Sequence, residues 1–228
     1  MTIEIIPSLP ANTFQELKTK AARVVGFVST FQIDVCDGMF VTSRTWPMNP
    51  GDKEQFQRIV RGEEQLPFAD QIAYEVHFMA HNPEKLLSDW TRTGVVRAFF
   101  HIEARHDFGA LVTVAKKAGI ELGAALKIGT PIERLDSYVS ELSCVQLMGI
   151  ETIGIQGQPF APQVIDMIHA VKTRFPNVTI QIDGAVNAET APALVEAGAS
   201  RLAPGSYVLL SEDPKTAVET LKHVTIHQ

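Results

Sequence analysis

The chain is poor in cysteine: only Cys36 and Cys144 occur among 228 residues, far apart and inside apolar, strand-like runs. They form no CxxC metal or redox pattern, and reduced thiols in a cytoplasmic protein are the natural reading. Basic residues are also short, with 20 Lys and Arg against 26 Asp and Glu, a net charge of −6 and a pI near 5.6. A nucleic-acid binder needs a basic face, so that class is set aside. No long apolar run suggests a membrane span, and the opening MTIEIIPSLP lacks the charged start and apolar core of a signal peptide. No linker or low-complexity stretch divides the sequence, so residues 1–228 are read as one domain. A GxGxxG turn after the first strand is missing too, which weakens a doubly wound open sheet.

What is present is alternation. Short β-rich runs are each followed by a segment of helical periodicity: IEIIPSL then Phe14 to Val25, FVSTFQIDV then Lys53 to Arg61, IAYEVHFM then Pro83 to Thr91, VVRAFFHIEA then Gly109 to Ala118. The pattern continues with ELGAALKI then Pro131 to Leu142, CVQLMGI then Gln163 to Phe175, VTIQIDG then Glu189 to Ala197, and SRLAPG then Pro214 to His223. Eight such pairs in a chain just under the usual ~250 residues predict a single-domain (β/α)8 TIM barrel with right-handed crossovers. Pro83, Pro131 and Pro214 mark helix starts, and Gly119 and Gly198 mark helix ends. The long connection from Gly38 to Asp52 either covers the barrel mouth or is a surface excursion.

The stretch FQIDVCDG, Phe31 to Gly38, places Gln32 and Asp34 on the same side of a strand while Phe31, Ile33 and Val35 point the other way. A carboxylate turned toward a barrel interior costs several kcal/mol unless a metal, a cation or hydrogen bonds compensate it. In a barrel, Asp34 on the second strand, His77 on the third and Asp183 on the seventh converge on one mouth, with the two carboxylates opposed. Together with Gln32 they offer nitrogen and oxygen ligands to one divalent ion, and Zn, Fe(II), Mn and Co all tolerate that set. Opposed carboxylates suit epimerisation, one removing a proton beside a carbonyl and the other returning one to the opposite face. The plainer account makes Asp34 and Asp183 strand-end carboxylates in turns.

The segments IPSL, QIDVCDGMFV, EVHFM followed by NP, HIEA, TP, GQPF, IDGAVN and GSYVLLSEDP stand in the order found in the ribulose-phosphate 3-epimerases, and the chain resembles that family over essentially its whole length. The resemblance implies a TIM barrel interconverting D-ribulose 5-phosphate and D-xylulose 5-phosphate. It makes Asp34 and Asp183 the proton-transfer pair and also metal ligands, with His77 a third ligand. Ser8, His77, Met79 and Met148 would line the substrate site, and a homo-oligomer is expected. Gly154, Gly157, Gly184, Gly205 and Ser206 are the remaining candidates for the sugar phosphate, because bare backbone amides in such loops can approach a phosphate.

Two departures from the family stand out. Its His-x-Asp on the second strand reads Gln32-Ile33-Asp34 here, so Gln32 is either a neutral oxygen ligand, a hydrogen-bonding side chain in the mouth, or a mark of a lost metal. Cys36 replaces a methionine and is taken to lie on the opposite alternation from the ligands. The loop GIETIGIQGQPF has fewer glycines than its family counterpart, and Ile153 and Ile155 would narrow or reshape the pocket. A hexulose 6-phosphate such as allulose 6-phosphate is therefore an alternative substrate, and an altered or silent sugar-phosphate-binding barrel a further one. Lys127 is either a phosphate contact or a counter-charge to the acidic mouth. His101 and Glu103 suit a supporting hydrogen bond, and His81 and His106 read as loop histidines.

Overall fold

The barrel is closed by its first strand, which is built in two parts. In the computed structural model, which describes residues 3–224, Ile6 and Pro7 split that strand into β1 (Glu4–Ile5) and β2 (Ser8–Leu9). Then come α1 (Phe14–Ala22), β3 (Thr30–Cys36), α2 (Lys53–Val60), β4 (Ala73–Met79), α3 (Glu84–Trp90), β5 (Arg97–His101), α4 (Phe108–Ala118) and β6 (Glu121–Leu126). After two 3-10 turns follow β7 (Cys144–Met148), α5 (Gln163–Arg174), β8 (Thr179–Asp183), α6 (Ala191–Ala197), β9 (Arg201–Ala203), α7 (Ser206–Leu209) and α8 (Pro214–Lys222). These strands pair in parallel throughout, in the order β1-β9-β8-β7-β6-β5-β4-β3-β2. Because β1 pairs with β9 and β2 with β3, the two halves of the first strand join the ends of the sheet into an eight-stranded barrel. The expected (β/α)8 architecture is the one observed.

Outward side chains make the main core against the helices: Phe31, Ile33 and Val35 on β3, Val76 and Phe78 on β4, Val145 and Leu147 on β7, Ile180 and Ile182 on β8. The opposite parity faces the interior. Phe99 fills the barrel at mid-height only because Gly123 on the paired strand has no side chain; a Cβ there would lie 2.4 Å from the Phe99 ring. Such layered filling makes the barrel a packed core rather than a pore.

The span from Pro131 to Leu142, expected as a helix, is instead two 3-10 turns, Ile132–Ser137 and Val139–Glu141. Asp136, Ser137 and Val139 are weak helix formers. Tyr138 breaks the run (φ −120°, ψ −35°) while its ring packs edge-on to Phe108 at 4.7 Å, so tertiary contact outweighs a weak local preference. By contrast α4 starts where its cap dictates, with the Asp107 side chain accepting from the Ala110 amide. Among the described residues no helix is long and apolar enough to cross a membrane. Cys36 and Cys144 are buried free thiols.

The connection from Gly38 to Asp52 does two things. Its second half is anchored in the helical layer by Trp46, which is buried against Phe14, Phe56 and Trp90. Its first half reaches the barrel mouth, where Phe40 stacks 5.1 Å from His101, and Thr45 donates to the Asp34 carbonyl at 2.7 Å.

Candidate active site

Three strands deliver the central group. Asp34 lies two residues short of the carboxyl end of β3, His77 holds the same position on β4 in direct register with it, and Asp183 closes β8. His77 Nδ1 is 3.2 Å from Asp34 Oδ1 and 3.2 Å from Asp183 Oδ2. One ligand atom from each of the three lies within 4.8 Å of the others, and all three residues are buried. Two carboxylates and one imidazole nitrogen on one point are a donor set suited to a divalent cation.

The electrostatics call for positive charge at that point. Burial and then the neighbouring Asp183 raise the Asp34 carboxyl above its ordinary range. Burial works against the His77 cation, yet hydrogen bonds and charge from Asp183 and Asp34 outweigh it and carry the imidazole up to about 9. Without a metal, a His77 proton therefore offsets the paired carboxylates.

Behind His77 the chain of contacts continues. His77 Nε2 is 3.0 Å from His101 Nε2, and His101 Nδ1 is 3.1 Å from Glu103 Oε2. Burial, helped by the His77 charge, pushes His101 down to about 4, so it is neutral and can accept the His77 Nε2 proton. Burial opposes ionisation of Glu103, but His101, Thr130 and the Lys127 amide together hold it down at about 2. His101 and Glu103 thus orient His77, which leaves Nδ1 aimed at the carboxylates.

A cavity opens above this cluster and is lined by Ser8, Met79, Met148, Gly154, Gly157, Gly184, Gly205 and Ser206 along with Asp34 and Asp183. His77 and Gln32 lie beneath it, fully buried. Ser8 Oγ donates to Asp183 Oδ1 at 3.3 Å. Gly184 sits at φ +102°, and a Cβ on it would come within 2.8 Å of Ile150. Gly154 packs against the loop after β3, where a Cβ would lie 2.8 Å from Ser43 Oγ. Ile155 borders the cavity and is 46% exposed. Ile153 is buried in an apolar cluster with Cys36, Met79, Met148 and Ile150.

That cluster corrects the expectation for Cys36. Two residues beyond Asp34, it shares the parity of Gln32 and Asp34 and packs beside the site methionines, because alternation places positions 32, 34 and 36 on one side. Lys127 Nζ lies 5.0 Å over the Phe40 ring. His81 and His106 engage backbone groups, the Arg105 amide and the Ala104 carbonyl respectively.

Sequence reasoning missed Gln146 and Gln181. Both are fully buried in the barrel. Gln146 donates to Asp183 Oδ2 at 3.1 Å, and Gln181 donates to Gln32 Oε1 at 3.0 Å. The signal was present: each stands two residues before a site residue, Met148 and Asp183, as a polar side chain on the inward parity of an apolar strand.

A parallel eight-stranded barrel with an Asp-His-Asp cluster and a cavity at the carboxyl ends of its strands has the architecture of a TIM-barrel enzyme. Solved structures agree on the fold. A 3-hexulose-6-phosphate synthase superposes with a TM-score of 0.68 at 15% identity, covering 98% of this chain and 99% of that one. A 3-keto-L-gulonate-6-phosphate decarboxylase from Vibrio cholerae gives 0.69 at 11% identity, covering 99% and 100%. The family is settled by sequence: residues 4–209 match the model of the ribulose-phosphate 3 epimerase family, and the chain belongs to it. It is 31% identical to a ribulose-phosphate 3-epimerase of Candida glabrata, covering 96% of this chain and 90% of the relative. It is 29% identical to one of Mycobacterium tuberculosis, covering 96% and 91%. The protein is accordingly an isomerase acting on carbohydrates.

Proposed function

We propose that this protein inverts C3 of a ketose phosphate, interconverting D-ribulose 5-phosphate and D-xylulose 5-phosphate. The observation that carries the reading is the convergence of Asp34 and Asp183, from β3 and β8, on His77 Nδ1 at 3.2 Å each. One carboxylate takes the C3 proton. The other, in its acid form, returns a proton to the opposite face, and the roles exchange in the reverse direction.

Asp34, His77 and Asp183 would hold a divalent ion, zinc, iron(II), manganese or cobalt. When bound, the ion supplies positive charge beside the substrate oxygens that become anionic as the proton leaves. Ser8, Met79 and Met148 bound the sugar, and Ser8 also steadies Asp183. Backbone amides around Gly157, Gly184, Gly205 and Ser206 receive the phosphate at the end of the cavity formed by the last three loops, where barrels commonly bind it. A homo-oligomer is proposed from the family alone.

The test is solvent deuterium exchange at C3 of ribulose 5-phosphate. Asp34→Asn and Asp183→Asn are each expected to reduce exchange by at least about 10³-fold, in the range of removing a general acid or base. Near-wild-type exchange from both ribulose 5-phosphate and xylulose 5-phosphate in either variant removes that residue from proton transfer. Parallel assays with allulose 6-phosphate decide between a pentulose and a hexulose substrate, and a higher kcat/KM for the hexulose overturns the pentulose assignment.

A further inference from the structure

Below the two carboxylates the barrel interior is threaded by a hydrogen-bonded column whose direction is set by its far end. Arg97 on β5, buried, pairs with Glu75 on β4 and donates to Glu121 at 2.7 Å. Burial raises the Glu75 carboxyl and the Arg97 guanidinium beside it opposes this; paired with that cation, Glu75 accepts, and the amide facing it presents its NH2 group. That amide is Gln181, whose Nε2 also meets Gln32 Oε1 at 3.0 Å and Gln146 Oε1 at 2.9 Å. Its two hydrogens are shared among Glu75, Gln32 and Gln146, and both neighbouring amides turn their oxygens toward it and their NH2 groups up. Gln32 Nε2 then reaches Asp34 Oδ1 at 2.9 Å and Asp183 Oδ2 at 2.8 Å, while Gln146 Nε2 reaches Asp183 Oδ2.

The column tolerates a cost for this polarity. Among the described residues Gln181 Oε1 is buried without a hydrogen-bond partner, so its desolvation goes uncompensated. The amide is retained for its donor side. Turning Gln32 over to offer its oxygen to a cation would set NH2 against NH2 at Gln181, and turning Gln181 as well would set its oxygen against Glu75.

We infer that Gln32 is a positioning residue and not a metal ligand: the ion is held by Asp34, His77 and Asp183 alone, and Gln32 and Gln146 orient the two carboxylates under direction from the Arg97–Glu75 pair. The inference rests on the reading of Asp34 and Asp183 as the acid–base pair for its kinetic part, and on geometry alone for its ligand part.

Cobalt(II) loading tests it. Gln32→Ala is expected to bind one ion per chain with visible absorption bands at wild-type wavelengths. A crystal structure of the cobalt-loaded wild-type protein is expected to show Gln32 Oε1 outside the coordination shell. In kinetics on ribulose 5-phosphate, Gln32→Ala should lose about 10–100-fold in kcat with KM nearly unchanged, because the carboxylates lose the donor that fixes their orientation while the substrate's own contacts remain. Shifted cobalt bands, a Gln32 oxygen at about 2.0–2.2 Å from the ion, no cobalt uptake by the wild-type protein, or an unchanged kcat in Gln32→Ala overturns the inference. Should Gln32→Ala fail to fold, the wild-type structure still decides the ligand. Cobalt bound by three residues without C3 exchange ends the epimerase reading and leaves the ligand assignment standing; exchange with Gln32 on the ion does the reverse.

Discussion

In metal-free protein the proton on His77 takes the place of a cation, and this makes stability depend on pH in a direction opposite to that of most carboxylates. The imidazole titrates at about 9 in the folded chain, against about 6.5 when unfolded. A group raised in this way contributes its full stabilisation below pH 6.5 and loses it as pH climbs through 9. The difference of about 2.5 units corresponds to roughly 3 kcal/mol, which for a barrel of this size means a fall of about 6–12 °C in Tm. Thermal melts in chelator from pH 6 to 9.5, followed by circular dichroism, read it directly. His77→Gln should flatten most of the decline. Metal should do so too, because ligation replaces the proton, and titration calorimetry at pH 7 in buffers of different ionisation enthalpy should record about one proton released per ion. A wild-type Tm that holds steady or rises over this range, with His77→Gln behaving identically, refutes the charge-substitution argument.

Other outcomes follow from the same contacts. His101→Ala removes the acceptor behind His77 Nε2 and should weaken zinc binding about 10–100-fold by competition with a chromophoric chelator; unchanged affinity would show that His77 needs no such support. Gly123→Ala forces a methyl into the Phe99 ring and should cost about 1–3 kcal/mol in urea denaturation. The double variant with Phe99→Leu should recover much of it, and a neutral single variant would contradict the interior packing.

A large part of this protein was legible in its sequence. Eight β and helical alternations determine a barrel because each strand must be covered by the helix that follows it, and parity alone sends Asp34, His77 and Asp183 inward. Parity would also have placed Cys36 beside them, a step that local reading misjudged. What it left open was decided in three dimensions. Whether Pro131 to Leu142 coils as an α-helix depended on where the Tyr138 ring finds partners, and no window of neighbouring residues contains Phe108. The direction of the Gln32 amide likewise depends on Gln181, Glu75 and Arg97, which lie on three other strands. An amide has two nearly identical ends, and only the closure of the barrel, by bringing a buried cation and carboxylate to one end of the column, decides which end meets the site.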